Sequence, residues 1–228
     1  MKTHMKRLAS PRTWPIKRKG PRMRFVARPF PGPHSFQEAM PLSVILKELL
    51  KVAKTTREVN AILSTGKVLV DGAVIKEKYF PVGLMDALTV GEDNYRILLN
   101  TKGKLYLKKI TKEQTALKPR RIINKTILPG GKIQLNLFDG SNILVKEDSY
   151  KVGDTLIMSK DGMKKHIKFG KGAYVYLIGG HHIGKCGIVD EILVFPGSEP
   201  TRVIIKDGAN RMEGLKKYAF VVEESLVK

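Results

Sequence analysis

The stretch between residues 47 and 67 is rich in side chains that bind phosphate. They are Lys47, Lys51, Lys54, Arg57, Asn60 and Lys67. The three lysines are separated by four and then three residues, which places them along one face of a helix. Such a surface suits a polyanion. A solvated basic helix face has the same pattern, so spacing alone leaves both interpretations open.

Two helices and a hairpin are predicted to position these side chains. Apolar residues at helical spacing predict the first helix, namely Leu42, Ile45, Leu46, Leu49 and Ala53. Thr55 and Glu58 have the spacing of a capping box and predict the start of a second helix, which Gly66 ends. A strand follows, and Asp71-Gly72 is a favoured hairpin turn.

The glycine-rich run Gly179–Cys186 is close to a phosphate-binding loop but lacks two of its requirements. Cys186 stands where a magnesium-binding hydroxyl is needed, and β-branched residues predict a strand instead of a helix after the loop. A zinc site at His181, His182 and Cys186 is also disfavoured, since the chain holds one cysteine. No metal and no cofactor are predicted.

Asp86 is the one candidate for a catalytic aspartate, of the kind that RNA-modifying enzymes use. The central region of roughly 60 residues is small for an enzyme domain. We therefore expect Asp86 to be a structural residue at a turn, and we predict no catalytic residue.

Net charge favours a polyanionic partner. The 228 residues include 42 Lys and Arg against 21 Asp and Glu, a net charge of +21, and nucleic acid is the natural counter-charge. No apolar run approaches the roughly 20 residues that span a bilayer, and the N-terminus lacks the core of a signal peptide. We expect a cytosolic protein that does not bind a membrane.

The first 41 residues differ from the rest. Between residues 1 and 37 the chain has ten basic residues and no acidic one, together with six prolines. Proline excludes a long helix or central strand, so this segment is expected to be extended or disordered when free. Trp14, His34 and several phenylalanines are interleaved with the charges. Such aromatic residues can stack on unpaired bases or fill crevices, and Trp14 and His34 are expected among the RNA contacts.

Short strands are predicted for most of the remaining chain. Apolar and polar residues alternate around Leu135 and Leu137, and Asp139-Gly140 and Asp161-Gly162 mark turns. Three further strands are predicted between Ala173 and Lys206, and another lies between Tyr218 and Val222. This pattern predicts an α+β chain that is mostly β.

Two motifs resemble known RNA-binding modules. The segment T-R-E-V-N-A-I-L-S-T-G-K-V-L-V-D-G resembles the alpha-L RNA-binding motif. That resemblance implies RNA contacts at Thr55, Thr56, Arg57, Asn60, Lys67 and Asp71. The spacing of Gly172, Gly180, Gly184, Lys185 and Gly187 is similar to a KOW motif, which implies a five-stranded barrel with a phosphate-binding loop lysine.

Further segments resemble small-subunit ribosomal protein four of the archaeal and eukaryotic type. They are H-x-K-R-L at His4, A-R-P at Ala27, G-P-H at Gly32 and P-V-G-L-M-D at Pro81. The family implies a basic extended N-terminal arm (1–41), a small alpha-L domain of two helices and a hairpin sheet (42–108), a central antiparallel β-domain (109–170) and a KOW-type five-stranded SH3-like barrel (171–228).

The resemblance implies a structural protein of the small ribosomal subunit in the cytoplasm. Its expected partners are ribosomal RNA and neighbouring ribosomal proteins, with no homo-oligomer. Alternatives are an RNA-modifying enzyme, an assembly factor or a transcription elongation factor. The residues expected to contact RNA are Lys2, His4, Lys6, Arg7, Arg12, Trp14, Lys17, Arg18, Lys19, Arg22, Arg24, Arg28, His34, Lys47, Lys51, Lys54, Thr55, Thr56, Arg57, Asn60, Lys67, Asp71, His181, His182 and Lys185.

Overall fold

Short antiparallel strands dominate the computed structural model, so the fold is α+β and mostly β, as predicted. The structure describes residues 2–21, 24–146, 148–159, 162–208 and 210–227. The chain divides into a first unit, residues 1–98 with 104–118, and a second unit, residues 99–103 with 119–228. Within the described ranges, no helix is long and apolar enough to cross a membrane.

The elements up to residue 115 alternate short strands with short helices. They are β1 (His4–Lys6), β2 (Phe25–Ala27), β3 (Ala39–Pro41), α1 (Leu42–Val44), α2 (Thr56–Ser64), β4 (Val68–Val70), β5 (Ala73–Val74), β6 (Pro81–Gly83), β7 (Ala87–Val90), β8 (Asp93–Leu99), β9 (Leu105–Lys109) and α3 (Lys112–Thr115). A single 3₁₀ turn, Arg7–Ala9, follows β1. Strand β1 pairs with β2 and β3 with β6, and a five-stranded sheet has the order β5-β4-β7-β8-β9.

The hairpin turn between β4 and β5 is confirmed. Asp71 and Gly72 both adopt positive φ, at 50° and 77°, as a two-residue turn of this kind requires. Strand β4 pairs with β5 on one side and with β7 on the other. The sequence does not predict β7. The hairpin therefore belongs to a larger sheet than the sequence indicates.

The first predicted helix is shorter than expected, and this breaks the predicted lysine face. After α1 the chain forms a π-helical turn, Ile45–Leu49, which the Leu50 N–H closes by donating to the Ile45 carbonyl at 2.9 Å. Lys51 then takes a left-handed φ of 56°. Lys51 and Lys54 therefore lie beyond the helix, and the prediction that they share a helix face with Lys47 is wrong.

The first 41 residues pack into the first unit, whereas the sequence predicts a segment that is extended or disordered when free. Trp14, Ile16, Val26, Ala39 and Met40 are buried. Strand pairing accounts for part of the order, because β1 and β3 each find a partner strand. The burial of these side chains could not be predicted from the sequence, because the buried residues follow neither a helical nor a strand period.

The second unit contains two five-stranded antiparallel sheets, in the orders β12-β11-β10-β13-β14 and β18-β17-β16-β15-β19. Its elements are β10 (Lys118–Ile127, whose first residue belongs to the first unit), β11 (Ile133–Leu137), β12 (Asn142–Val145), β13 (Thr155–Ser159), β14 (Gly162–Ile167), β15 (Tyr174–Leu177), β16 (Cys186–Leu193), β17 (Arg202–Asp207), β18 (Asn210–Leu215), the 3₁₀ turn Lys216–Tyr218, β19 (Ala219–Val221) and α4 (Glu224–Val227).

The alternation predicted around Leu135 and Leu137 places the core of the first of these two sheets correctly. Leu135 and Leu137 pack with Ile122 and Leu156 in the first sheet. Val175, Leu177, Val189, Val203, Ile205 and further apolar residues form the core of the second sheet. Strand β18 was not predicted, and Asp161 of the predicted Asp161-Gly162 turn lies outside the described residues.

Candidate nucleic-acid interface

The start of α2 presents the polar side chains that the alpha-L resemblance implies. The Thr55 hydroxyl accepts a hydrogen bond from the Glu58 N–H at 3.2 Å, and the Glu58 carboxylate accepts one from the Lys54 N–H at 2.7 Å. The Lys54 hydrogen bond is the main reason that the pKa of Glu58 is lowered. This closed cap fixes the first turn and leaves Thr56, Arg57 and Asn60 exposed on the surface of the helix.

Most cations of the first 41 residues are exposed. The exposed cationic side chains, with that of His4, belong to Lys2, Lys6, Arg12, Lys17, Lys19, Arg24 and Arg28. Arg18 is half-buried, and Arg22 lies outside the described residues. These side chains extend from a folded segment, so their positions are constrained before any partner binds.

Three residues predicted to contact RNA instead face the protein interior. The Trp14 ring is buried and its Nε1–H donates to the Ala39 carbonyl at 2.8 Å. His34 is buried against the carboxylate of Asp86. Arg7 is nearly buried, donates to the Lys17 carbonyl at 2.8 Å and pairs with Glu48. The structure does not support RNA contacts by these three side chains, because their polar groups already bind other groups of the protein.

Asp86 is the centre of a buried charge cluster in the first unit. Its carboxylate lies 2.8 Å from His34 Nε2 and 2.6 Å from Lys118 Nζ, and it accepts the Gly83 N–H at 2.9 Å. Lys118 Nζ also donates to Asp71 at 2.6 Å. Burial by itself would raise the pKa of Asp86, but Lys118 and His34 lower it overall. A carboxylate held in this way is structural, as the sequence analysis expects.

Asp71 also serves the fold. Its second oxygen accepts the Ala87 N–H at 2.9 Å, so the side chain links the hairpin turn to β7. Burial and the nearby Asp86 charge raise the pKa of Asp71, while Lys118 opposes them. The Asp71 side chain, which is 25% exposed, is therefore held by Lys118 and by the Ala87 N–H of the same unit.

Arg96 is a further buried charged residue of the first unit, and the sequence gives no sign that it is buried. Its Nη2 donates to the carbonyls of Gln114 and Leu117, both at 2.7 Å. Burial lowers the pKa of Arg96 to about 10, against the influence of Asp71 and Asp86. The residues on both sides of Arg96 are typical of a β-strand. They do not indicate which groups would bind a buried guanidinium.

Two half-buried arginines in the second unit contact other protein groups. Arg121 donates to the carbonyls of Lys217 and Ala219 and lies against the rings of Phe138 and Phe220. Arg120 pairs with Asp139 at 3.0 Å. Protein groups therefore engage the charges of both side chains.

The glycine-rich loop after β15 carries His181, His182 and Lys185. Lys185 and His181 are exposed, and His182 is half-buried. Burial, helped by the charges of Lys185 and His181, lowers the pKa of His182. The two histidines line a cleft of about 360 Å³ with Arg202 and Tyr218. The loop therefore brings together the three side chains predicted there.

Close packing within the protein explains the loop's glycines. Gly184 has a φ of 77°, and a Cβ there would lie 2.5 Å from the Asn100 carbonyl. A Cβ at Gly179 would lie equally close to the Tyr218 ring. Contacts inside the second unit therefore account for the absence of a side chain at both positions.

Four predicted site residues meet at a single cleft in the first unit. His4, Arg7, Lys47 and Thr56 line a cavity of about 260 Å³. Lys78 and Tyr79 also line it, although sequence analysis did not select them. The Lys76-Glu77-Lys78-Tyr79 run was the only local signal available.

Two family models match the chain. "Ribosomal family S4e" matches residues 91–164, and "RS4NT (NUC023) domain" matches residues 1–37. The small ribosomal subunit protein eS4 of Methanocella arvoryzae is 42% identical over 223 residues, which cover 96% of this chain and 93% of the relative. The eS4 protein of Methanocaldococcus jannaschii is 41% identical over 242 residues, covering 100% and 97%.

A solved structure has the same fold. The crystal structure of the 30S ribosomal protein S4e from Thermoplasma acidophilum matches with a TM-score of 0.73 and 33% identity, covering 82% of this chain and 96% of that one. The fold and the exposed cations define a basic, mostly β protein of the class that binds polyanions. The chain is about 40% identical to eS4 proteins over nearly its whole length. It therefore belongs to the ribosomal S4e family.

Proposed function

We propose that this chain is a structural constituent of the small ribosomal subunit and binds ribosomal RNA through phosphate and shape contacts. The observation that carries the proposal is its identity of about 40%, over nearly the full length of both chains, to proteins named for the small subunit. The net charge of +21 supplies the counter-charge for phosphate. The protein is not an enzyme, and it works in the cytoplasmic ribosome.

The proposed RNA contacts are the predicted side chains that solvent reaches. In the first unit they are Lys2, His4, Lys6, Arg12, Lys17, Lys19, Arg24, Arg28, Lys47, Lys51, Lys54, Thr55, Thr56, Arg57, Asn60 and Lys67. In the second unit they are His181, His182 and Lys185. Exposed Lys and Arg on short, well-packed elements bind phosphate without a large ordering cost.

The finer architecture is also a proposal. Helix α2 with the β4–β5 hairpin corresponds to the alpha-L module, and strands β15–β19 correspond to the KOW barrel. The domain organisation proposed is a basic arm (1–41), an alpha-L RNA-binding domain (42–108), a central β-domain (109–170) and a KOW SH3-like barrel with the C-terminal strand (171–228). The partners are ribosomal RNA and neighbouring small-subunit proteins, and we propose that the chain does not form a homo-oligomer.

A specific observation disfavours an RNA-modifying enzyme. Asp86, the candidate for a catalytic aspartate, is fully buried and is engaged by His34, Lys118 and the Gly83 N–H. A catalytic carboxylate must reach its substrate, and this one is enclosed by protein groups. The enclosed position of Asp86 therefore disfavours an RNA-modifying enzyme that uses this carboxylate.

Fractionation of a cell lysate on a sucrose gradient tests the proposal. We expect the full chain to travel with mature small subunits at one copy per particle, because a structural constituent remains in the finished particle. Travel with precursor particles alone would instead indicate an assembly factor. Recovery at the top of the gradient, free of particles, would contradict a ribosomal role.

A further inference from the structure

The cleft in the first unit has aromatic, cationic and hydroxyl groups on its walls. The β1–β2 pair forms one side, and α1 with the residues before β6 forms the other. Its volume of about 260 Å³ lies just below the range for drug-sized ligands and suits a smaller group. The wall residues used below are His4, Phe25, Ser43, Lys47, Lys78 and Tyr79.

Phe25 provides an aromatic surface that is open to solvent. Phe25 is 51% exposed although its strand neighbour Val26 is buried. The edge of His4 packs against the ring at a centroid distance of 5.4 Å, and the Arg24 guanidinium lies 5.5 Å from the ring centroid. These contacts hold the ring in place. An exposed, fixed ring is what an unstacked base needs as a platform.

Ser43 provides an unused hydroxyl at the same cleft. The residue is only 5% exposed, and its Oγ has no hydrogen-bond partner among the residues that the structure describes. Its backbone N–H is satisfied, because it donates to the Lys78 carbonyl at 2.9 Å. A buried hydroxyl without a partner costs stability, and native proteins rarely retain one without a reason.

The charge of the cleft favours an anion. Glu48 is the acidic residue on its wall, and Arg7 already pairs with it. Lys47 and Lys78 remain as cations, and Lys78 Nζ lies 5.2 Å from the Tyr79 ring centroid. The combination of two ammonium groups with aromatic rings matches the phosphate and the base of a nucleotide.

We propose that this cleft takes one unpaired nucleotide of the ribosomal RNA. The base stacks on Phe25, the Ser43 hydroxyl bonds an edge of the base, and Lys47 and Lys78 flank the phosphate. This inference rests on the proposed function, since it assigns a distinct contact to the same RNA. It adds a site of single-base recognition to a surface that otherwise binds phosphate and shape.

Two RNA hairpins of the same stem test the proposal with the full chain. One carries a single bulged 2-aminopurine, whose fluorescence reports on its stacking, and the other is fully paired. We expect the bulged hairpin to bind more tightly. Phe25→Ala should remove the preference, which corresponds to a loss of about fivefold to a hundredfold in affinity for the bulged hairpin. The control is Phe36→Ala, because the Phe36 ring is also exposed in this unit but does not line the cleft. This substitution should leave the preference for the bulged hairpin unchanged.

Ser43→Ala separates a ligand-binding role from a structural one. We expect affinity for the bulged hairpin to fall about two- to tenfold. The Tm of the free protein should stay level or rise by roughly 2–4 °C, because an unpaired buried hydroxyl is removed. A lower Tm would show that the hydroxyl supports the fold and would overturn its role in base recognition.

The outcomes distinguish this inference from the proposed function. Equal binding of the two hairpins, or a preference that survives in Phe25→Ala, would overturn the nucleotide site while leaving RNA binding in place. Failure of the full chain to bind either hairpin at low salt would contradict both proposals.

Discussion

Replacing Asp86 with asparagine is expected to lower the free energy of unfolding of the first unit by about 3–5 kcal/mol. The substitution keeps the shape of the side chain but removes the charge that Lys118 Nζ meets at 2.6 Å inside the unit. It also removes one acceptor of His34. The buried Lys118 ammonium group then keeps Asp71 as its one carboxylate partner among the residues that the structure describes, and a buried charge that loses part of its compensation is strongly destabilising.

Urea titration with tryptophan fluorescence measures this change. Trp14 is the only tryptophan in the sequence and is buried in the first unit, so its emission reports on the unfolding of that unit. Asp93→Asn is the matched control, because its ion pair with Lys109 is exposed and such pairs contribute about 0–1 kcal/mol. Equal effects of the two substitutions would contradict a structural role for the buried cluster.

Replacing Trp14 with alanine is expected to lower the free energy of unfolding by about 3–5 kcal/mol. The ring is 1% exposed, and its Nε1–H holds the Ala39 carbonyl at 2.8 Å. Truncation leaves a cavity and an unpaired buried carbonyl. Urea titration followed by circular dichroism gives the measurement, since the fluorophore is lost.

Leu8→Ala is the control for this second prediction. Leu8 is another large apolar side chain near the N-terminus, but it is 61% exposed, so its truncation should change stability by roughly 0.5 kcal/mol or less. Wild-type stability for Trp14→Ala would mean that the first 41 residues do not pack as described. The original expectation of an extended segment would then hold.

Local features of the fold could be predicted because neighbours in sequence determine them. The Thr55–Glu58 cap and the Asp71-Gly72 turn each depend on residues at most four positions apart. The alternation at Leu135 and Leu137 fixes which side chains meet the core, since a strand has a period of two. Strand β18 could not be predicted, because it is an edge strand with one buried apolar residue, Met212, and so shows no alternation.

The buried cluster could not be predicted, because its members are far apart in sequence. His34 and Asp86 are 52 positions apart, and Lys118 lies 47 positions from Asp71. A local window shows each only as a polar residue, and polar residues are usually exposed. The same reason explains why His34 and Arg7 are predicted to contact RNA. Exposure of each cation, and with it the candidate interface, depends on the tertiary fold.

The salt dependence of binding between the full chain and small-subunit ribosomal RNA tests the central claim most directly. Each phosphate contact should contribute about 0.7–0.9 to the slope of log affinity against log salt concentration. A variant with Arg57→Gln and Lys67→Gln should therefore show a slope that is shallower by about 1.4–1.8. Lys109→Gln, which removes an exposed cation outside the proposed interface, should leave the slope unchanged. A flat salt dependence of the unmodified chain would contradict the account.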